Sequence, residues 1–233
     1  MSRQYFLMAD ATQQIVESQR STLRRKRERG THDRRVVEEI LDAGLVCHVG
    51  FNDQGSTFVV PTAYARVGDS LLLHGAAANY MLKSIGSGIE SCVTVTLLDG
   101  LVLARSAFHH SINYRSVMLF GTATRVEQDN EKLAAVLAIL DHIVPGRGAD
   151  ARPPTPEELR ATSVLRFPID EGSSKVRIGG PIDDPEDESL PIWAGQLPIE
   201  QIIQSPIPDP NIPAGVVTPP YVLRHQAGGR VEG

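Results

Sequence analysis

The sequence is poor in cysteine, in aromatic residues and in long apolar runs. Its only cysteines, Cys47 and Cys92, each lie in an apolar run and form no CxxC pair. This pattern favours buried thiols in a reducing compartment over a disulfide, a redox motif or a zinc site, and no metal site is predicted. No run of about 18 apolar residues is present, and the N-terminus lacks the apolar core and cleavage site of a signal peptide. We therefore expect a cytoplasmic protein that does not enter the membrane.

Widespread catalytic and nucleotide-binding motifs are also missing. The chain contains no GxxxxGK[ST], no GxGxxG after a strand, no HExxH and no GxSxG. P-loop, Rossmann, zincin and α/β-hydrolase interpretations therefore lose their main support. The net charge of −5 gives no overall attraction to nucleic acid or to an anionic membrane. A bound phosphate would have to be held by a local cluster of Lys and Arg.

Composition divides the chain into three parts. Residues 1–32 form a basic extension, which we interpret as a solvated helical segment, with an arm for nucleic acid or another anionic partner as the alternative. Residues 33–178 carry the apolar patterning of a folded domain. Residues 179–233 form a proline-rich arm whose prolines prevent regular helix or central strand. We expect its first half to pack on the body and only its last dozen or so residues to be free.

The middle part reads as mainly β with some α. Six runs rich in β-branched and aromatic residues are separated by turn-forming pairs such as DQGS, GD and DG. Amphipathic helices are predicted after Asp33 and after Asp129, and a short helix around residues 77–85. A six-stranded antiparallel barrel with peripheral helices and a C-terminal arm is the economical arrangement of these elements.

Two runs carry unusual residues on predicted strands. In TFVVPTAYA, Pro61 cannot donate to a sheet ladder, so it marks a bulge, an edge, or a place where the backbone serves a ligand. In LLLHGAAANYMLKS, His74 ends a strand before small residues and a helix with Asn79 and Lys83, a setting that suits a phosphate. The alternatives are an edge proline without a ligand and a structural histidine.

A third run, ARSAFHHSINYRSVMLFG, is rich in polar residues where a core strand would alternate. Arg115 and Ser116 should point to opposite faces of the strand, and Arg115 with a neighbouring hydroxyl could meet a phosphate. His109 and His110 are adjacent, so they cannot easily chelate one metal ion together. A single axial haem ligand stays open as an alternative to solvated histidines.

The order HVGF, VVPTAYAR, LLLHGAAANYMLK and SAFHHSINYRSVMLFGTA resembles the FMN-binding split β-barrel family around pyridoxamine 5′-phosphate oxidase and nitroimidazole-resistance flavoproteins. The resemblance covers about residues 34–178. It implies a homodimer with FMN at the subunit interface, gripped at its phosphate by basic and hydroxyl residues, with its ring along strand backbone. It implies His74 near the reactive face. The other candidate cofactor contacts are Pro61, Thr62, Ala63, Tyr64, Lys83, Asn113, Tyr114, Arg115, Ser116 and Trp193.

The C-terminal arm departs from the vitamin-processing members of the family. The Arg-x-His type substrate clamp of those oxidases is absent, so we do not expect pyridoxamine phosphate oxidation. Trp193 is instead predicted to anchor the arm and to help close the cofactor site. The leading hypothesis is an FMN-dependent oxidoreductase that reduces a small aromatic or nitro-bearing molecule. A non-catalytic flavin- or haem-handling protein is the alternative, and a nucleic-acid-binding regulator is a third.

Overall fold

A computed structural model describes residues 14–226 of the chain, and within them lie ten strands, six α-helices and two 3₁₀ turns. The strands are β1 (Gly30–Thr31), β2 (Val46–Asp53), β3 (Ser56–Val67), β4 (Ser70–Ala76), β5 (Glu90–Leu103), β6 (Ser111–Thr122), β7 (Thr124–Arg125), β8 (Thr162–Pro168), β9 (Glu171–Arg177) and β10 (Gly195–Pro198). The helices are α1 (Arg34–Ala43), α2 (Tyr80–Ile85), α3 (Asp129–Ile143), α4 (Arg147–Asp150), α5 (Pro156–Arg160) and α6 (Pro220–Gln226). Within these residues no helix has the length and apolar character to span a membrane.

The strands form one antiparallel half-barrel in the order β1-β9-β6-β5-β2-β3-β4-β8-β7, and β10 pairs with β5 outside this path. The expected mainly β architecture is confirmed, but six strands is wrong. Two predicted strands on either side of Asp99-Gly100 are one strand, β5, in which the register shifts between Leu98 and Gly100. The DG pair therefore makes a β-bulge and not a turn. Strand β9 was missed because its sequence EGSSKVR lacks the apolar alternation that marks a strand.

The main core fills the concave side of the half-barrel. Its fully buried side chains include Tyr64, whose hydroxyl donates to the Leu41 carbonyl of α1 at 2.5 Å. Helix α1 reaches this position because Asp33 caps its first turn by accepting from the Arg35 amide at 2.9 Å. Helix α2 packs Met81, Leu82 and Ile85 into the same core.

Helix α3 covers part of the convex side. Ala135 and Ile139 of this helix pack against Ala65 of β3, Leu72 of β4 and Val164 of β8. Neighbouring strand residues alternate between the two sides, so Tyr64 and Leu73 lie in the main core while Ala65 and Leu72 lie under α3.

Over residues 14–32 the basic extension is not the helical segment that its composition suggested, and its residues 1–13 lie outside the described part of the chain. From residue 14 it runs along the edge of the sheet, where Val16 bridges to Glu171 and β1 pairs with β9. Arg20 makes an ion pair with Glu171 at 2.7 Å and lies over the Phe120 ring at 4.6 Å. These contacts with the barrel replace the internal hydrogen bonds that a helix would have made.

The C-terminal arm packs on the body as expected, but Trp193 does not anchor it. Trp193 is 65% exposed and lies over Gly195, where its ring leaves no room for a side chain. The arm is held instead by β10 on β5 and by Asp183, which accepts from the backbone amide of Arg105 at 2.9 Å and from its Nη1 at 2.8 Å. Backbone pairing of β10 and the buried carboxylate of Asp183 thus hold the arm, in place of the predicted anchor Trp193.

We predict that Asp183→Ala loosens the arm without unfolding the barrel. The substitution removes a charge-assisted hydrogen bond and an amide acceptor, a loss on the order of 1.5–3 kcal/mol. Amide hydrogen exchange in residues 195–198 should become at least tenfold faster. Exchange in β2, and in residues 91–94 of β5, should stay slow. Glu188→Ala, which changes an exposed carboxylate of the same arm, is the control. Unchanged exchange in β10 would show that Asp183 does not hold the arm.

Candidate functional site

A part of the convex sheet surface next to α3 is left uncovered. Pro61, His48, Thr94 and Met118 are in register with one another on β3, β2, β5 and β6, so they form one row across four strands. Val59 is 64% exposed beside this row. We call the surface formed by Val46, His48, Val59, Pro61, Ala63, Thr94 and Met118 the open sheet face. Its largely apolar character suits an aromatic ring or another protein surface.

His74 lies at the border between the open sheet face and α3. Tyr64 pairs with Leu73, so the next position along β3 and β4 places His74 beside Ala63, and on its other edge His74 pairs with Val164 under α3. The half-buried ring has a buried Nδ1 without a hydrogen-bond partner among the described residues. Burial lowers the pKa of His74 from its usual value, so the ring is neutral at pH 7. A buried polar atom without a partner is available to a ligand.

Strand alternation separates the residues predicted along TFVVPTAYA. Pro61 and Ala63 belong to the open sheet face, whereas Thr62 pairs with the buried Cys47 and so faces the concave side. Tyr64 is fully buried, and the pKa of its hydroxyl is raised by burial. The side chain of Tyr64 is therefore part of the core, and its assignment as a side-chain contact to the cofactor is corrected.

Lys83 and Arg115 do not meet within one chain. Lys83 is an exposed residue of α2, next to Ser84, which donates to Asp53 at the far end of β2. That end of β2 pairs with Ser91 of β5, whereas Arg115 pairs with Leu97. Six strand residues separate these two positions of β5, or about 20 Å. The strand positions nearest to Lys83 and Arg115 are thus far apart within one chain.

Arg115 also forms an ion pair with Asp99 of the neighbouring strand β5. Its Nε and Nη2 donate to the two carboxylate oxygens of Asp99 at 2.9 and 2.7 Å. Ser116 lies on the opposite face of β6 and pairs with Thr96. It is therefore on the same side of the sheet as Met118, next to the open sheet face. Of these two predicted phosphate contacts, Ser116 is thus closer to the open sheet face and Arg115 is partly neutralised.

Three other predicted contacts belong to the junction of β6 with the arm. Asn113 is buried, and its Nδ2 donates to Gln196 Oε1 at 2.8 Å. Its side-chain Oδ1 accepts from Arg177. Tyr114 pairs with Leu98 and Arg177, and Trp193 is exposed on the arm. The buried amide of Asn113 is therefore used to join strands and arm, which corrects its assignment as a cofactor contact.

The structure also contains a basic cavity that was not predicted from the sequence. It has a volume of about 430 Å³ and lies between the N-terminal extension, the connection from β5 to β6, and the arm. Its lining residues are Arg25, Lys26, Arg29, Phe108, His109, His110, Ser111, Arg177, Ile182 and Asp184. The cluster of Arg and Lys in residues 20–29 was the available signal, but nothing in the sequence indicates that the extension folds back onto β9 and β6.

The half-barrel with an uncovered sheet face is the architecture of a split β-barrel. Residues 33–176 match the family model described as pyridoxamine 5′-phosphate oxidase. The chain belongs to this family of flavin-binding split β-barrel proteins. No curated protein matches it.

Solved structures similar to this chain include two that cover most of it. The flavocytochrome Anf3 from Azotobacter vinelandii is 39% identical over 89% of this chain and 96% of its own, with a TM-score of 0.85. The FAD and haem binding protein from Mycobacterium smegmatis is 34% identical over 85% and 97%, with a TM-score of 0.82. A putative 5-nitroimidazole antibiotic resistance protein from Bacteroides thetaiotaomicron is 26% identical over 63% and 86%, with a TM-score of 0.52.

We predict that His74 makes the protein less stable below about pH 6.5. Its folded-state pKa is lowered, so the unfolded chain binds the proton more readily, and the free energy of unfolding falls as pH drops from 6.5, the usual pKa of histidine, through the folded pKa. Urea unfolding between about pH 7.5 and about pH 5.5, one unit above and below the usual pKa of histidine, should show a shallower pH slope for His74→Gln. Ser116→Ala, which removes no titratable group, should keep the wild-type slope. Parallel slopes for wild type and His74→Gln would mean that His74 protonates equally in both states.

Proposed function

We propose that the protein is a flavin-dependent oxidoreductase that binds FMN on the open sheet face and reduces a small aromatic or nitro-bearing molecule. The observation that carries the proposal is the buried, unpartnered Nδ1 of His74 at the edge of an exposed, largely apolar sheet face. Pro61 supports it, because this exposed residue has no backbone N–H. It therefore breaks the row of hydrogen-bond donors along β3 at a point where a heterocycle could lie. Membership of the split-barrel family adds the expectation of a flavin.

The residues present fit such a group. Pro61 and Ala63 would lie along the ring edge, and His74 would hydrogen-bond at its margin through the free Nδ1. The bound flavin would supply electron and hydride transfer, while the chain binds, orients and shields it from water. Because His74 is neutral at pH 7, it can donate from one ring nitrogen and accept at the other.

We further propose that two copies of the chain form the complete site. The open sheet face has one wall only, which leaves a three-ring heterocycle uncovered on its other side. The β5 positions nearest to Lys83 and Arg115 are about 20 Å apart in one chain, so we expect the two side chains to serve one phosphate from different copies. The apolar side chains exposed on this face, Val46, Val59 and Met118, provide area for the contact.

Haem binding is a second candidate, and His110 favours it. Its Nδ1 lies 3.0 Å from the Ser106 carbonyl, so this nitrogen carries the proton and leaves the Nε2 lone pair free. A histidine that donates to a carbonyl through one nitrogen has the arrangement of an axial metal ligand. Two structural relatives that cover most of the chain are a flavocytochrome and an FAD and haem binding protein.

We predict that the purified protein is yellow, with the absorption of oxidised flavin. It should bleach under NADH or NADPH in the absence of oxygen and recover in air, and mass spectrometry of the released compound should give FMN. A mass of FAD would correct the cofactor and leave the proposal standing. A Soret band without flavin absorption would favour haem handling, and a colourless protein that does not take up FMN would contradict the proposed function.

We predict that Val59→Lys weakens both dimerisation and flavin binding. A charge in the middle of an apolar contact must be desolvated, which costs several kcal/mol when it is unpaired. Light scattering should show a shift to monomer together with loss of bound FMN. Val67→Lys is the matched control, since Val67 is exposed on the same strand beyond Ala65, which α3 covers. A Val59→Lys monomer with full FMN occupancy would contradict the shared site.

A further inference from the structure

The basic cavity contains a buried cation without a carboxylate partner. Arg177 is 5% exposed and makes no ion pair within residues 14–226. Its Nη1 donates to Asn113 Oδ1 and, at 3.2 Å, to the Gly179 carbonyl, and its Nη2 donates to the Gly180 carbonyl at 3.0 Å. Its Nε is buried without a partner. A buried guanidinium held by neutral acceptors alone lacks the counter-charge that such groups usually have.

The charges around Arg177 increase this imbalance. Four basic residues line the cavity, Arg25, Lys26, Arg29 and Arg177, against one carboxylate, Asp184. Asp184 itself lies 3.1 Å from His109 Nε2. The pKa of Arg177 is lowered by burial and then by the charge of Arg29.

Arg29, the second guanidinium at this cavity, is itself only weakly neutralised. Its recorded ion pair is with the exposed Glu28 at 4.0 Å, the outer limit for such a contact. Two guanidinium groups, those of Arg29 and Arg177, therefore line one cavity of about 430 Å³, and the charge of Arg29 lowers the pKa of Arg177. A cavity that concentrates one sign of charge attracts ligands of the other sign.

The cavity wall also contains exposed apolar side chains. Phe108 is 87% exposed and Ile182 is 68% exposed, and both line the cavity. A ligand that satisfies the guanidinium groups and covers these side chains has an anionic end and a flat apolar part.

We infer that this cavity is an anion-binding site, in which Arg29 and Arg177 receive a phosphate or carboxylate group of a ligand with a flat apolar part. The site is separate from the open sheet face, because Ser111 at the cavity and Met118 on the face are seven residues, or about 23 Å, apart on β6. Two sources have this chemistry: the pyrophosphate of a dinucleotide such as FAD, and the propionates of haem.

Inorganic pyrophosphate is the first probe, added to the full chain at constant ionic strength set with NaCl. It should raise the thermal midpoint, because it binds the folded state only. Arg29→Glu should weaken its binding at least tenfold, and Arg29→Lys should retain most of it. Arg27→Glu, an exposed residue of the same 3₁₀ turn that does not line the cavity, is the matched control. No shift in wild type, or equal binding by Arg29→Glu and Arg27→Glu, would overturn the inference.

FAD, FMN, riboflavin and haem distinguish the sources. If Arg29→Glu weakens FAD but leaves FMN and riboflavin unchanged, the cavity takes the pyrophosphate. If it weakens haem, and His110→Gln removes the same Soret change, the cavity takes the propionates. Arg29→Glu should leave riboflavin affinity unchanged, since riboflavin has no anionic group. Failure of riboflavin and FMN to bind would count against the proposed function alone, because the pyrophosphate result stands without them.

Discussion

Strand β5 is the element on which the rest of the structure depends. Along one edge it pairs with β6 over nearly its whole length, and along the other it pairs first with β2 and then, after the bulge at Leu98–Gly100, with β10. The bulge bends the strand away from the barrel and leaves a second stretch of edge open. That stretch would be a free edge, open to pairing with other chains, if the arm did not cover it. The arm is therefore part of the sheet, and the cavity beside it exists because β5 and β6 extend beyond the barrel.

The strands, the capped helix α1 and the convex helix α3 could be predicted because their apolar residues follow the periods of strand and helix. The strands β9 and β10 were not predicted, and both omissions have the same physical cause. Strand β9 has glycine and serine where β6 and the N-terminal extension approach closely, and a Cβ at Gly172 would lie 2.3 Å from the Met118 carbonyl. The strand β10 lies in a proline-rich segment whose pairing depends on the extended β5. Both are strands because of their neighbours, which local sequence does not encode.

At the candidate site, the alternation of side chains along β3 limits which residues can be transferred from the family resemblance. Pro61, Ala63 and His74 share the convex side of the sheet. Tyr64, one residue further on, turns into the core. Thr62 likewise pairs with the buried Cys47. Consecutive side chains of one strand therefore cannot all contact one ligand, although the backbone of the whole stretch can.

The buried Arg177 raises the question of why a fold would keep an unpaired charge. Replacing such a residue with an apolar one of similar volume is often neutral or stabilising, so stability alone does not favour it. Arg177 does join β9, β6 and the arm through Asn113 and two backbone carbonyls. A neutral donor could make these hydrogen bonds without the cost of desolvating a cation. The charge itself, placed beside Arg29 at the cavity wall, is the part that only an anionic ligand uses.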